Sequence, residues 1–244
     1  TAYEISLGLV GSEMCIRDRF SYVEGEEVLK GINLKINPGE TVAIVGPTGA
    51  GKTSLVSVLS RFYEVEKDSG SVLVDGVDIR GVKRQSLVSQ MSTVLQDPFL
   101  FSGTVKENIK YNHTEASEEQ MVVASKAVGA HDFILELEDG YDTFLSERGN
   151  NLSLGQRQLL SFARAIVADP KILILDEATA NIDSHTEILI QNALRNLLED
   201  RTALVIAHRL STIRGADKIV VLQEGQIIEV GKHDELMDLS LIHI

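Results

Sequence analysis

The chain reads as an α/β protein: a parallel sheet covered on both faces, with a small antiparallel β part and an inserted α-helical part. Three observations predict this. Two uninterrupted apolar runs, Lys171–Leu175 (KILIL) and Thr202–Ile206 (TALVI), have the make-up of strands buried on both faces, and a helical pattern over 185–199 separates them. A third apolar run, Thr41–Val45 (TVAIV), leads through a glycine-rich turn into the apolar-rich segment Ser54–Leu59. A polar stretch over 104–138 then carries Met121, Val122, Ala124, Ser125 and Val128 at helical spacing, so a mostly helical insertion is expected over about 97–165.

Taken in order, Val28–Ile36 alternates and ends at Asn37-Pro38-Gly39, a strand closed by a turn. Ser71–Ile79 reads as a hairpin around Asp75-Gly76, and 218–230 as a last hairpin turning at Glu224-Gly225. The two ends stand apart. Residues 5–19, Ile5 and SLGLVGSEMCIRDR, show neither strand alternation nor a helical face, and SLGLVGSEMCIRDR and the final SLIHI resemble translated linker sequence. Residues 1–19 and 239–244 are therefore expected to be non-native, with the folded domain over 20–238.

Bulk properties narrow the function. A net charge of −13 argues against a nucleic-acid partner and against adsorption on anionic lipid. No apolar run reaches the roughly 18 residues that a membrane-spanning helix needs. The one cysteine, Cys15, excludes an internal disulfide framework and fits a reducing compartment.

The chemistry concentrates in GPTGAGKT, Gly46–Thr53. A strand, this loop and a helix in that order form the context of a phosphate-binding loop. Its glycines let successive N–H groups converge on one point, and the helix adds its positive N-terminal end. Lys52 is then placed for the β- and γ-phosphates of a nucleoside triphosphate, and the Thr53 hydroxyl for Mg²⁺. Ile172–Leu175 runs into Asp176-Glu177, at the strand end where α/β sheets bind ligands; Asp176 suits the Mg²⁺ shell and Glu177 a general base. His208 follows the next apolar strand and is a candidate contact for the terminal phosphate, and Gln96 a candidate to orient water or metal. Ser153 and Gln156 have capping-box spacing around Gly155, which makes the start of that helix a second anion site with a hydroxyl and open N–H groups.

In sequence order Tyr22, GPTGAGKT, Gln96, LSLGQ, ILILDE, the Asn181-Ile182-Asp183 turn and His208 resemble the nucleotide-binding domain of ABC transporters, over about 20–238. The resemblance implies a RecA-like P-loop NTPase core with a small antiparallel β subdomain and an inserted α-helical subdomain. It implies a Mg²⁺-dependent ATPase whose ATP meets Tyr22 (stacked on adenine), Gly46, Pro47, Thr48, Gly49, Ala50, Gly51, Lys52, Thr53 and Ser54. It assigns metal binding to Thr53, Gln96 and Asp176, and catalysis to Glu177, His208 and Gln96. Ser153, Gly155 and Gln156 are assigned to the γ-phosphate held by a partner subunit, with Asn181 and Asp183 connecting the two sites. The stretch Gln96–Thr104 and the Glu147-Arg148-Gly149 run are similar to the exporter branch, where such regions receive coupling helices. Expected partners are a second ATPase domain, as homo- or heterodimer, and a transmembrane domain that places the chain on the cytoplasmic face of the plasma or inner membrane. The rival readings are an importer ATPase, a soluble nucleotide-gated interaction module, and the non-hydrolysing half of a heterodimer. Two departures stand out: Leu154 replaces the usual signature glycine, and the segment 6–19 replaces the strand expected before Tyr22.

Overall fold

The structure is a computed structural model, and it describes residues 13–23, 26–66, 68–111, 113–176 and 184–238. In chain order the elements are β1 (Met14–Ser21), β2 (Glu27–Ile36), β3 (Thr41–Val45), α1 (Lys52–Leu59), β4 (Gly70–Val74), β5 (Val77–Asp78), α2 (Arg84–Val88), β6 (Met91–Val94), β7 (Gly103–Thr104), α3 (Val105–Ile109), α4 (Glu118–Ala127) and α5 (His131–Leu135). There follow β8 (Phe144–Leu145), α6 (Leu154–Ile166), β9 (Ile172–Asp176), α7 (Ser184–Leu198), β10 (Thr202–Ile206), α8 (Leu210–Gly215), β11 (Lys218–Gln223), β12 (Gln226–Gly231) and α9 (His233–Asp238). The chain divides into two compact units. The first takes residues 1–91, 171–177 and 200–244, and the second 92–170 and 178–199.

The first unit carries five strands of the larger sheet, in the order β12-β11-β3-β10-β9. β3 pairs in parallel with both β10 and β11, and β10 in parallel with β9, while β12 adds an antiparallel edge. Every residue of β3 and β10 is buried, as runs without polar alternation require. Leu55, Val58 and Leu59 of α1 join Ile44, Ile174, Leu204, Val220 and Leu222 in one apolar cluster. Each such side chain contributes about 1.5–3 kcal/mol on burial. The last hairpin joins the central sheet through β11, which pairs with β3.

The smaller sheet of this unit runs β2-β1-β4-β5 and is antiparallel throughout. β1 is an inner strand of it, which corrects, from Met14 onward, the expectation that 5–19 lacks strand alternation. Met14 and Ile16 are fully buried while Cys15 between them is half-buried, so the segment alternates over a span too short and too mixed in polarity to stand out in sequence. It pairs with β2 on one side and β4 on the other, and it occupies the place of the strand expected before Tyr22.

The second unit is wider than the helical stretch expected over 97–165. It begins at residue 92, takes in α7, and includes the two-stranded ladder β7-β8. Three of its helices start with reciprocal capping boxes: Thr104 with Glu107, Ser117 with Gln120, and Ser153 with Gln156. Each cap stabilises its helix by roughly 1 kcal/mol. Arg164 of α6 is its main polar anchor, donating to the Asn108 and Phe99 carbonyls and to Asn108 Oδ1 at 2.7–2.8 Å. It also lies over the stacked rings of Phe101 and Tyr111, and burial there lowers its pKa to about 10.

Candidate functional site

The glycine-rich loop leaves the carboxyl end of β3, and its shape follows from three left-handed glycines: Gly46 (φ 153), Gly49 (φ 82) and Gly51 (φ 103). At Gly46 a side chain is excluded by space as well, since a Cβ would sit 2.0 Å from the Leu222 carbonyl oxygen. The loop is pinned from behind, with Gly225 N donating to the Ala50 carbonyl and Lys30 N to that of Gly225. Pro47, Thr48 and Gly49 stay exposed at the crest. Gly51 is the N-cap of α1 and offers no side-chain cap, so the first-turn N–H groups gain no partner from a capping side chain. Those donors and the positive end of the helix define an anion-facing loop.

Lys52 closes that loop. Its ammonium donates to the carbonyls of Gly46 at 2.7 Å and Pro47 at 3.0 Å. Burial lowers its pKa below the ordinary lysine value, with the Asp176 charge opposing. Asp176, the last residue of β9, is its counterpart: burial raises its carboxyl pKa, opposed by the charges of His208 and then Lys52. The Asp176 carboxyl thus lies within electrostatic reach of both Lys52 and His208 at the end of the parallel strands. Thr53 is exposed on the first turn of α1, and Ser54 behind it is buried, its Oγ accepting from the Tyr22 hydroxyl at 3.0 Å.

The expected site residues fall in both units. Tyr22, Gly46–Ser54, Asp176 and His208 belong to the first, and within it Asp176 interacts electrostatically with His208 and with Lys52. Gln96 is exposed in the segment just after β6, in the second unit, together with Ser153, Gly155 and Gln156. Glu177, Asn181 and Asp183 lie outside the described residues.

At the start of α6 the capping box has the expected form. Ser153 Oγ accepts from Gln156 N at 3.2 Å, and Gln156 Oε1 accepts from Ser153 N at 2.9 Å. Gly155 has a further reason to be glycine, because a Cβ there would lie 2.1 Å from Thr186 Cγ2 on α7. Leu154, beside it, is half-buried. Reading the chain alone missed Leu222 and Gly225 as the backing of the phosphate loop. The Glu224-Gly225 pair signalled only a turn, and the backbone approach it permits comes from long-range pairing. Tyr63 was missed as a neighbour of Tyr22 for the same reason.

A loop of this form between a central parallel strand and a helix, with an acidic residue ending the next parallel strand but one, defines a phosphate-loop nucleotide-binding protein. The family model for ABC transporters matches residues 29–180, and the chain belongs to that family as an ATP-binding domain. It is 51% identical over 218 residues to the uncharacterized ABC transporter ATP-binding protein YfiC of Bacillus subtilis, covering 89% of this chain and 36% of that one. It is 52% identical to the fatty acid ABC transporter ATP-binding/permease protein of Mycobacterium tuberculosis, again over 89% of this chain and 34% of the relative. A solved bacterial Atm1-family ABC exporter with ATP bound superposes with a TM-score of 0.87 at 39% identity, over 97% of this chain and 41% of that one. The chain spans about a third of the length of the curated relatives it matches.

Proposed function

We propose that this chain is the ATP-hydrolysing part of an export transporter, turning over ATP with Mg²⁺ and passing the resulting motion to a membrane-spanning partner domain. The observation that carries the reading is the loop of left-handed glycines closed by Lys52, with Asp176 in electrostatic reach of Lys52 and His208. The names of the relatives support the export part: a fatty acid transporter, a probable multidrug resistance protein of Bacillus subtilis, and an Atm1-family exporter. Among the described residues no helix is long and apolar enough to cross a membrane, and the reading assigns the transport path to a membrane-spanning partner domain. That domain places the ATPase on the cytoplasmic face of the plasma or inner membrane.

The donor set fits a triphosphate and a hard cation. Lys52 exchanges two neutral carbonyl acceptors for charged phosphate oxygens, a stronger pairing. The Thr53 hydroxyl, the Asp176 carboxylate and Gln96 supply oxygen ligands suited to Mg²⁺, which when bound shields the phosphate charge during attack. Tyr22 stacks on the base. Glu177 takes the proton of the attacking water, and His208 donates toward the terminal phosphate. Water adds to that phosphorus as the bond to the bridging oxygen breaks, giving ADP and inorganic phosphate. Ser153, Gly155 and Gln156 serve the γ-phosphate of a second ATPase domain across a dimer, where the Ser153 hydroxyl proton remains free to donate while its oxygen accepts from Gln156 N.

Phosphate release from ATP, measured against free Mg²⁺, tests this reading. The expected result is turnover that needs Mg²⁺ and stops on chelation. Release no greater than the protein-free blank, or release indifferent to Mg²⁺, rules it out.

A further inference from the structure

We propose that Tyr63 is a positioning residue for nucleotide binding, holding the Tyr22 ring from beyond the far end of the helix that follows the phosphate loop. The inference rests on the reading of Tyr22 as the base-stacking ring. Three aromatic side chains meet here. Tyr22 stands edge-to-face with Phe20 (centroids 4.9 Å, planes at 84°) and with Tyr63 (4.9 Å, 85°), and Phe20 and Tyr63 complete the triangle at 5.7 Å. Phe20 is buried, whereas Tyr22 and Tyr63 each leave 47% of their surface exposed. The buried ring is thus a floor, and the two half-exposed rings form a corner open to a ligand. Edge-to-face pairs set the positive rim of one ring on the negative face of the other, a geometry with a preferred angle. Two such pairs fix the plane of Tyr22.

The hydroxyl end of Tyr22 is held separately, donating to Ser54 Oγ at 3.0 Å. Ser54 lies in the first turn of α1, and Tyr63 follows soon after its last residue, Leu59. Tyr22 is therefore tied to residues at both ends of a helix about 12 Å long. The turn that presents Tyr63 is itself fastened. Arg61 adopts a left-handed φ of 52°, pairs with Glu64 at 2.8 Å and donates to the Val82 carbonyl at 2.8 Å, and Phe62 N donates to the Ser57 carbonyl. The consequence is that the base platform and Lys52 share one rigid element, although Tyr22 arrives from β1. An unbraced Tyr22 samples other rotamers, and nucleotide binding then has to order it.

The test is calorimetric titration of the full chain with Mg-ATP and, separately, with inorganic tripolyphosphate, which lacks the base. Tyr63→Leu and Tyr63→Met are each expected to weaken ATP binding roughly three- to tenfold, the range an edge-to-face contact carries. Tripolyphosphate affinity stays at the parent value, and Tyr63→Phe, which keeps the ring, binds ATP like the parent. The double variant Tyr22→Ala/Tyr63→Leu matches Tyr22→Ala alone, because the two act as one unit. Parent-like ATP affinity in both ringless variants, with Tyr22→Ala impaired, overturns the bracing role. Equal losses for ATP and tripolyphosphate overturn it too, by showing general damage. Parent-like binding by Tyr22→Ala removes the base-stacking reading itself and the brace with it.

Discussion

The helix after the glycine-rich loop, α1, begins at Gly51 in a left-handed conformation with no side-chain cap, whereas α6 begins at Ser153 with a complete capping box. The sequence predicts an anion site at both starts, and both contain a glycine and a hydroxyl. They are built differently. The start of α1 receives no capping side chain, and its glycines are needed for backbone angles that other residues rarely adopt. The start of α6 satisfies two of its own N–H groups, and its Gly155 is required because α7 approaches too closely for a side chain. The first is prepared for a ligand. The second is prepared for a neighbouring helix and keeps one hydroxyl proton to offer.

That contrast breaks most sharply at Lys52. Lys52→Ala is expected to weaken ATP binding by roughly 10- to 100-fold, the loss of a hydrogen-bonded charge on a charged ligand, with little change in Tm. Calorimetry of the two proteins checks it, and equal affinities place the triphosphate elsewhere. Next is Gly155→Ala, where Thr186 has to move to admit a methyl group; about 1–3 kcal/mol of stability is expected to be lost in chemical denaturation. ATP affinity in the isolated chain is expected to hold. Ser153→Ala removes only the cap, about 1 kcal/mol by the same assay. A large fall in the chain's own ATP affinity on Ser153→Ala contradicts the division of labour between the two helix starts.

The smallest effect concerns Asp176. Burial raises its pKa, so folding favours the protonated form, and the stability it contributes is greatest below the unfolded carboxylate pKa and is lost as pH rises through the folded value. Asp176→Asn is therefore expected to raise Tm at neutral pH in the absence of nucleotide. The gap from the parent closes as the pH falls into the carboxylate range. A lower Tm at neutral pH indicates that the attraction of His208 and Lys52 outweighs desolvation.

Strong local periodicity made much of the fold legible. Thr41–Val45 and Thr202–Ile206 form strands with those bounds, Asp75-Gly76 turns the expected hairpin, and 184–198 is helical. The phosphate loop was legible because its chemistry is contiguous. What escaped is long-range. β1 reads as noise until β2 and β4 flank it, and then Met14 and Ile16 find a core. The Gly155–Thr186 approach and the Tyr22–Tyr63 pair join distant segments, so no local spacing announces them. Sequence showed that glycine stands at 155, and the structure shows which atom forbids anything larger.

This chain is expected to hydrolyse the nucleotide it binds, with Glu177 activating the water. The most direct measurement is ATP binding and phosphate release on one preparation each of the parent and Glu177→Gln. Retained binding with turnover lowered by roughly 10²–10⁴-fold is the predicted result. An unchanged rate of release contradicts it.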